Sequence, residues 1–277
     1  MDVSVIIINY NTLQMTKDCI DSVFEKTCDI QFEVILVDNA STDGSKDYFT
    51  NDSRIKYIYN DENLGFGRAN NIGVEASTGR NVLFLNSDTL LINNAIKMLS
   101  EYLDDNASVG ACGGNLYDAN LNPAYSYCLK FPSILIDINL LLHNIPGRLL
   151  YKGQMTHNYT DIAIDVAFIS GADLMVKRSV IDSLGCFSPQ FFMYFEDSEL
   201  CYRIDKVGYS VKSVPFAKII HLGSVSAKNA GGNKSTKKEC MFKESRIIYH
   251  RLTNRSKFYI WFDLLLTSKF VKRMFFI

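Results

Sequence analysis

Short apolar runs separated by amphipathic intervals dominate the first hundred residues. "VSVIIIN" (3–9), "FEVILVD" (32–38), "IKYIY" (55–59) and "NVLFLNS" (81–87) are rich in Val, Ile, Leu and Phe, and most of the intervals between them have helical spacing. Strands apolar on both faces belong to a sheet covered on both sides, so this portion reads as an α/β layer, mostly parallel and doubly wound in the Rossmann manner. Ligands of such sheets sit beyond the carboxyl ends of the strands. Polar residues fall at those ends: Asn9, Tyr10 and Asn11 after the first run, Asp38 and Asn39 at the second, Asn86, Ser87 and Asp88 at the fourth. "NASTDG" places Ser41 or Thr42 before a helix, and "NLGFGRANN" places Gly65 and Gly67 before another.

After about residue 105 the regularity fades. "LKFPSILIDINLLLHNIPGRLL" (129–150) is a partly apolar excursion suited to covering an acceptor or touching a membrane. "IDVAFISGADLMVKR" (164–178) and the helix-like "SVIDSLG" follow. In "EDSELCYRIDKVG" the apolar Leu200, Ile204 and Val207 fall three and four apart, with Gly208 where a helix would stop. That spacing predicts a helix with Asp197 at or near its N-terminus. "SAKNAGGNKSTKKE" (226–239) reads as a linker and the remainder as basic amphipathic helix, which divides the chain into a domain over 1–225 and a linker with helical tail over 226–277. A chain of 277 residues, 47% hydrophobic, suits one main domain with an appendage.

Charge is polarised along the chain. The total is −1, yet from Ser224 onward 12 Lys/Arg face only Glu239, Glu244 and Asp263, giving a +9 tail. Such a tail suits anionic lipid headgroups, a diphosphate-bearing substrate, nucleic acid or a solvated helical face, and charge alone does not separate these. Asp137 and Asp263 interrupt the two most apolar stretches before either reaches the roughly 20 residues of a membrane span. Seven scattered cysteines without a C-x-x-C pair indicate neither a zinc site nor a disulfide framework. The start, Met1-Asp2 followed by "VSVIII", lacks the basic region of a signal peptide, so a cytosolic, reduced protein is expected.

Several residues carry candidate chemistry. In "FFMYFEDSELCYR" (191–203), Glu196, Asp197 and Glu199 stand behind an aromatic run, and charged groups do not enter apolar surroundings without a partner or a task. At a helix N-terminus the orphan N–H groups and the dipole keep a carboxylate such as Asp197 ionised and ready to receive a proton. Phe191, Phe192, Tyr194 and Phe195 would then wall the site or stack on a sugar ring; the alternative is a capping Asp beside a core aromatic cluster. Asp88, ending a buried strand, offers hard oxygens suited to Mg²⁺ or Mn²⁺, or else caps the next helix. Asp38 can accept the imide N–H of uracil or thymine, or simply form a turn. Gly65 and Gly67 allow close backbone approach, and Arg68 can meet phosphate. His221 can close a metal site through an imidazole nitrogen, or be structural.

In order, "VSVIIINYN", "VILVDNASTDGS", "NLGFGRANNIGV", "VLFLNSDTLL", "ISGADLMVKRSVIDSLGCFSPQFFMYFEDSELCYRIDKVGYSV" and "IIHLGS" resemble the GT-A fold glycosyltransferases of family 2, in particular the bacterial rhamnosyltransferase-like branch, over about residues 3–224. The resemblance implies an inverting transferase that moves sugar from dTDP-rhamnose or a UDP-sugar to a glycan acceptor in cell-surface polysaccharide synthesis. It further implies that Asp38 reads the base, that Asn86-Ser87-Asp88 stands at the D-x-D position with Asp88 on Mg²⁺ or Mn²⁺, that Asp197 of the Glu196–Asp197 pair is the base, and that His221 completes the metal site. Asn9, Tyr10, Asn11, Asn63, Gly65, Arg68 and Asn70 would join the donor site; Gly171, Phe195 and Glu196 would face the acceptor. Asn86 departs from the first D of D-x-D, so the triplet offers a carboxylate at one end.

The same resemblance implies a lipid-diphosphate-linked acceptor at the inner face of the cytoplasmic membrane, reached peripherally through the basic tail, with no role for nucleic acid; pairing with a second copy stays open. Two rivals come from other classes. A sugar-1-phosphate nucleotidyltransferase would carry a Gly-rich phosphate loop after the first strand, where "NYNTLQMTKD" has no glycine. A non-catalytic nucleotide-sugar-binding scaffold would keep the fold without turnover.

Overall fold

The structure, a computed structural model, describes residues 1–134, 156–223, 233–253 and 255–261, together with 136, 138, 142, 145, 150 and 265. Strands β1 (Val3–Asn9), β2 (Phe32–Asp38), β3 (Lys56–Tyr59) and β4 (Asn81–Asn86) alternate with helices α1 (Leu13–Lys26), α2 (Ser45–Phe49) and α3 (Phe66–Glu75). These four strands are parallel, in the order β3-β2-β1-β4. Asn9 pairs with Asp38 and Ile8 with Asn86, so the polar strand ends lie on one line at one rim.

The second half extends the same sheet. It supplies β5 (Thr89–Leu91), α4 (Ala95–Asp105), β6 (Val109–Tyr117), β7 (Tyr127–Cys128), β8 (Ile164–Val166), β9 (Phe168–Ile169), β10 (Asp173–Lys177), α5 (Arg178–Leu184), α6 (Glu196–Lys206) and β11 (Ser210–His221). The sheet continues β4-β10-β6-β11-β5, with β8 beside β11 and β7 paired to β9 in a separate ribbon. Because β10 runs antiparallel to β4, with Asp173 opposite Leu85, its first residues lie where β4 ends. A residue preceding β10 therefore reaches the rim that the parallel strands build.

Alternation at period two sorts the side chains between two cores. Val5, Ile7, Leu83, Leu85 and Met175 pack with Cys19, Ile20 and Val23 of α1 and Ile96, Leu99 and Leu103 of α4. Ile6, Val82, Phe84, Leu174 and Val176 pack on the other face with Val74 of α3, Val180 and Ile181 of α5, and Leu200, Cys201 and Ile204 of α6. Burial of a Leu200- or Ile204-sized side chain contributes about 1.5–3 kcal/mol, which fixes α6 against the sheet. The apolar stripe ends earlier than expected: Val207 is exposed, and the helix stops at Lys206 before Gly208, whose φ is +92°.

Two further expectations need correction. α2 starts at Ser45 behind Gly44 rather than after Ser41 or Thr42. The Ser41 hydroxyl instead accepts the Asn11 N–H at 2.9 Å, and Asp43 bonds the N–H of Ser45 at 3.2 Å and that of Leu13, the first residue of α1, at 2.9 Å. The last part of the linker candidate is helical, because α7 spans Asn233–Leu252. Residues 226–232 and 266–277, and most of 135–155 in the apolar excursion, lie outside the described residues. Among the described residues no helix is long and apolar enough to cross a membrane.

Candidate active site

Asn9 and Asp38 form the buried frame of the rim. The Asn9 amide oxygen accepts the hydroxyls of Thr12 at 2.8 Å and Thr16 at 3.0 Å, while its nitrogen donates to Asp38 at 3.2 Å and Ser41 Oγ at 3.1 Å. Asp38 also accepts the Ser41 N–H at 2.8 Å and the Tyr57 hydroxyl at 3.0 Å. Neither residue exposes surface, and both side chains shape the strand ends. Tyr10 stands half-exposed above them, and Asn11, at φ +55°, accepts the Thr42 N–H at 2.7 Å. Thr12 Oγ1 lies 3.3 Å from Ser87 Oγ and ties this corner to the turn after β4.

That turn carries Asn86, Ser87 and Asp88, and it leads into β5, so Asp88 is not a helix cap. His221 ends β11, which pairs with β5 in a register that sets His221 opposite Thr89. Its Nε2 lies 3.3 Å from Asp88 Oδ1 and 3.4 Å from the Asn86 amide nitrogen. Burial lowers the His221 pKa, but the hydrogen bond and charge of Asp88, with the charge of Asp173, outweigh it and hold the pKa above the ordinary value. A side chain at Gly223 would start 3.0 Å from His221 Nε2 and 3.5 Å from Asp88 Oδ2, so its absence leaves space beside the pair. A carboxylate and an imidazole facing that space suit a divalent ion. Among the described residues no group of three or more His, Cys, Asp or Glu forms a complete metal cage, so further ligands have to come from elsewhere.

Asp197 is the second residue of α6, whose N-cap position is Phe195. Its Oδ1 accepts the N–H of Ser198 at 2.6 Å and the Ser198 hydroxyl at 3.1 Å; its Oδ2 accepts the N–H of Gly171 at 2.9 Å. Burial raises the Asp197 pKa against those hydrogen bonds. Glu196 is only 6% exposed, and its Oε2 has no hydrogen-bond partner among the described residues. Burial, followed by the Asp197 charge, pushes the Glu196 pKa up to about 8. Of two adjacent carboxyls, the one with three donors and the helix N-terminus keeps the negative charge, so Asp197 is the anion and Glu196 the neutral acid at pH 7.

A short main-chain link connects Asp197 to the Asp88 turn. The Asn86 N–H donates to Ala172 O at 3.0 Å, and the neighbouring Gly171 donates to Asp197. Asn86, Ser87, Asp88, Gly171, Asp197 and His221 are all partly exposed along this line. The antiparallel insertion of β10 beside β4 produces the juxtaposition.

Other expected residues are placed differently. Phe191 and Phe195 are buried against Phe242 and Tyr249 of α7 instead of walling a sugar site, and the Phe195 ring centroid lies 5.0 Å from that of Phe242 and 5.6 Å from that of Tyr249. Phe195 therefore faces α7, not an acceptor. Gly65, at φ +84°, makes its close approach to the chain's own loop: a Cβ there would fall 2.3 Å from Phe192 O. Arg68 is exposed and donates to Pro189 O at 2.8 Å; Asn63 accepts the Gly65 N–H at 2.9 Å; buried Asn70 donates to Phe66 O at 3.0 Å. These four residues organise the start of α3 and the loop against it.

Sequence reasoning missed Thr12, Ser41 and Tyr57 as framework, and Asp173 as a buried acid behind the site. Asp173 accepts the Gly114 N–H at 2.6 Å, its other oxygen has no partner among the described residues, and burial pushes its pKa up to about 7. An acid inside the apolar "ISGADLMV" was the available signal.

The sequence profile described as Glycosyl transferase family 2 matches residues 4–185. The chain is 26% identical over 233 residues to the dTDP-rhamnosyl transferase RfbF of Shigella flexneri, covering 82% of this chain and 72% of that protein. It is 27% identical over 205 residues to the N-acetylglucosaminyl-diphospho-decaprenol L-rhamnosyltransferase of Mycobacterium tuberculosis, covering 68% and 66%. A further relative, the uncharacterized protein y4gI of Sinorhizobium fredii, is matched over only 25% of its length. Among solved structures, GalNAc-T7 with UDP, GalNAc and Mn²⁺ superposes with a TM-score of 0.60 at 15% identity, over 80% of this chain and 44% of that one. That likeness shows the GT-A fold.

Proposed function

The chain belongs to glycosyl transferase family 2, and on that premise we propose that it moves a sugar from a pyrimidine nucleotide-sugar, dTDP-rhamnose or a UDP-sugar, to a hydroxyl of a glycan acceptor in one inverting displacement. The observation that carries this reading is the shared rim: Asp88 with His221 at one end and Asp197 at the other, joined through Asn86, Ala172 and Gly171.

Asp197 acts as the base. Three hydrogen bonds occupy three of its four lone-pair positions, leaving one on Oδ2 for the acceptor proton. The acceptor oxygen attacks the anomeric carbon as the bond to the diphosphate breaks, the nucleoside diphosphate leaves with the electron pair, and the proton ends on Asp197. Neutral Glu196 neither competes for that proton nor repels the incoming hydroxyl as an anion would. Asp88 and His221 would hold Mg²⁺ or Mn²⁺, which would supply positive charge where the diphosphate leaves. Tyr10 and Asn11 flank the base on the rim that Asp38 sets. Asp38 Oδ1, which among the described residues takes the Ser41 N–H, is the oxygen proposed to meet a pyrimidine imide.

The acceptor is read as lipid-diphosphate-linked, in cell-surface polysaccharide synthesis at the inner face of the cytoplasmic membrane, with the protein cytoplasmic and peripheral. The decaprenol-linked name of the mycobacterial relative supports this. So do exposed Phe258 and Trp261 close in sequence to exposed Arg251, Arg255 and Lys257, a pairing of apolar and basic groups suited to an anionic lipid surface. Screening nucleotide sugars with Mn²⁺ for protection against thermal unfolding tests the donor class. A preferred donor at 100 times its Kd should stabilise by about 2.7 kcal/mol. No shift with any pyrimidine nucleotide-sugar would refute the reading.

A further inference from the structure

Two consecutive non-glycine residues, Tyr194 at φ +75° and Phe195 at φ +67°, adopt left-handed backbone immediately before α6. That conformation is unfavourable for an L residue and persists only where the surroundings over-determine it. Here the surroundings come from α7, about fifty residues further along the chain. The Phe242 ring centroid lies 5.7 Å from that of Tyr194 and 5.0 Å from that of Phe195, and the Tyr249 centroid lies 5.6 Å from that of Phe195. The Arg246 guanidinium stands 5.9 Å from the Phe195 ring centroid, and the Ser245 hydroxyl donates to Met193 O at 2.7 Å. On its other side the loop is anchored where the Phe66 N–H donates to Phe192 O at 2.9 Å. Two residues after Phe195 comes Asp197, on the Gly171 amide.

We infer that α7 is a positioning clamp for the catalytic base: Phe242, Ser245 and Tyr249 hold the 193–195 turn in its left-handed form and thereby keep the Asp197 carboxylate on the Gly171 N–H. The turn is the direct lead into α6, so a change of hand at Tyr194 or Phe195 swings the first turn of that helix. A misplacement of about 1 Å at a reacting group can cost about 10²-fold in rate. Donor binding does not pass through this turn, because Asp88 lies in the turn between β4 and β5 and His221 ends β11. The clamp therefore acts on turnover and not on donor affinity. The inference rests on the reading of Asp197 as base.

The test uses full-length protein and steady-state transfer with the preferred donor. Phe242→Ala should lower kcat about tenfold and leave the donor KM within about twofold, because orientation of the base is lost while donor binding is kept. In that background Tyr194→Gly, which makes the left-handed form accessible at no steric cost, should recover at least about threefold in kcat. Tyr194→Ala, which removes the same ring without that freedom, should recover nothing. If Phe242→Ala does not fold at the assay temperature, Ser245→Ala, which deletes only the hydroxyl on Met193 O, is tested with the same two partners. A folded clamp variant with wild-type kcat overturns the inference, as does equal recovery by Gly and Ala or recovery by neither. Asp197→Asn, run beside them, separates the two failures: if it transfers sugar normally the base reading has failed, and if it is inactive while the clamp variants behave as wild type only the clamp has failed.

Discussion

Nε2 of His221 lies 3.3 Å from Oδ1 of Asp88, so the end of β11 and the turn after β4 meet at one charged contact. With the space left by Gly223, this contact defines where a divalent ion would bind. Asp88→Ala and His221→Ala are each expected to weaken Mn²⁺-dependent donor binding at least about tenfold, in line with the loss of a metal ligand. Without metal, variant and wild type should bind donor alike. Because the His221 pKa is raised, protons should displace metal from a pH somewhat above 6.5 downward. Calorimetric titration of Mn²⁺ with nucleotide, at two pH values, measures both effects.

Glu196 gives a stability signature with a definite sign. Its pKa is about 8 in the folded chain against an ordinary 4.5, so the folded state holds the extra proton between those values. Stability from this group is fully present below the lower value and is lost as pH rises through the upper one. Glu196→Gln removes the penalty, and the variant should gain on wild type by about 1–3 kcal/mol between pH 5 and pH 9. Urea unfolding at both pH values checks this; a difference that does not change with pH would contradict it.

The Asp38 network makes a structural statement distinct from donor binding. Asp38→Ala leaves the Tyr57 hydroxyl and the Ser41 N–H without their acceptor and the Asn9 amide with Ser41 Oγ alone, and should cost about 1–3 kcal/mol. Tyr57→Phe removes one of those donors and should cost about 1 kcal/mol. Denaturant midpoints at constant m-value measure both.

The parallel half of the fold was legible because Val3–Asn9, Phe32–Asp38 and Asn81–Asn86 are buried on both faces, and a run of that kind has few other homes. The rim was legible because polar residues ended those runs. The start of α6 was legible from Leu200, Ile204 and Gly208, although Val207 proved exposed. The task of the aromatic run was not: Phe191 and Phe195 meet residues of α7 about fifty positions away, and local pattern holds no record of that contact. α2 was misplaced because Ser41, a good cap by type, is drawn into the Asn9–Asn11 corner. The Arg68 contact with the Pro189 carbonyl was not legible, because that carbonyl lies 121 positions along the chain.

Replacement of Asp197 by Asn tests the proposed mechanism most directly. Asn can still accept the Ser198 and Gly171 N–H bonds in part and suits a helix start about as well, but it cannot take the acceptor proton. Transfer with the preferred donor should fall about 10²–10⁴-fold while melting temperature and donor affinity stay near wild type. A folded Asp197→Asn protein that transfers sugar at the wild-type rate would contradict the assignment of Asp197 as the base.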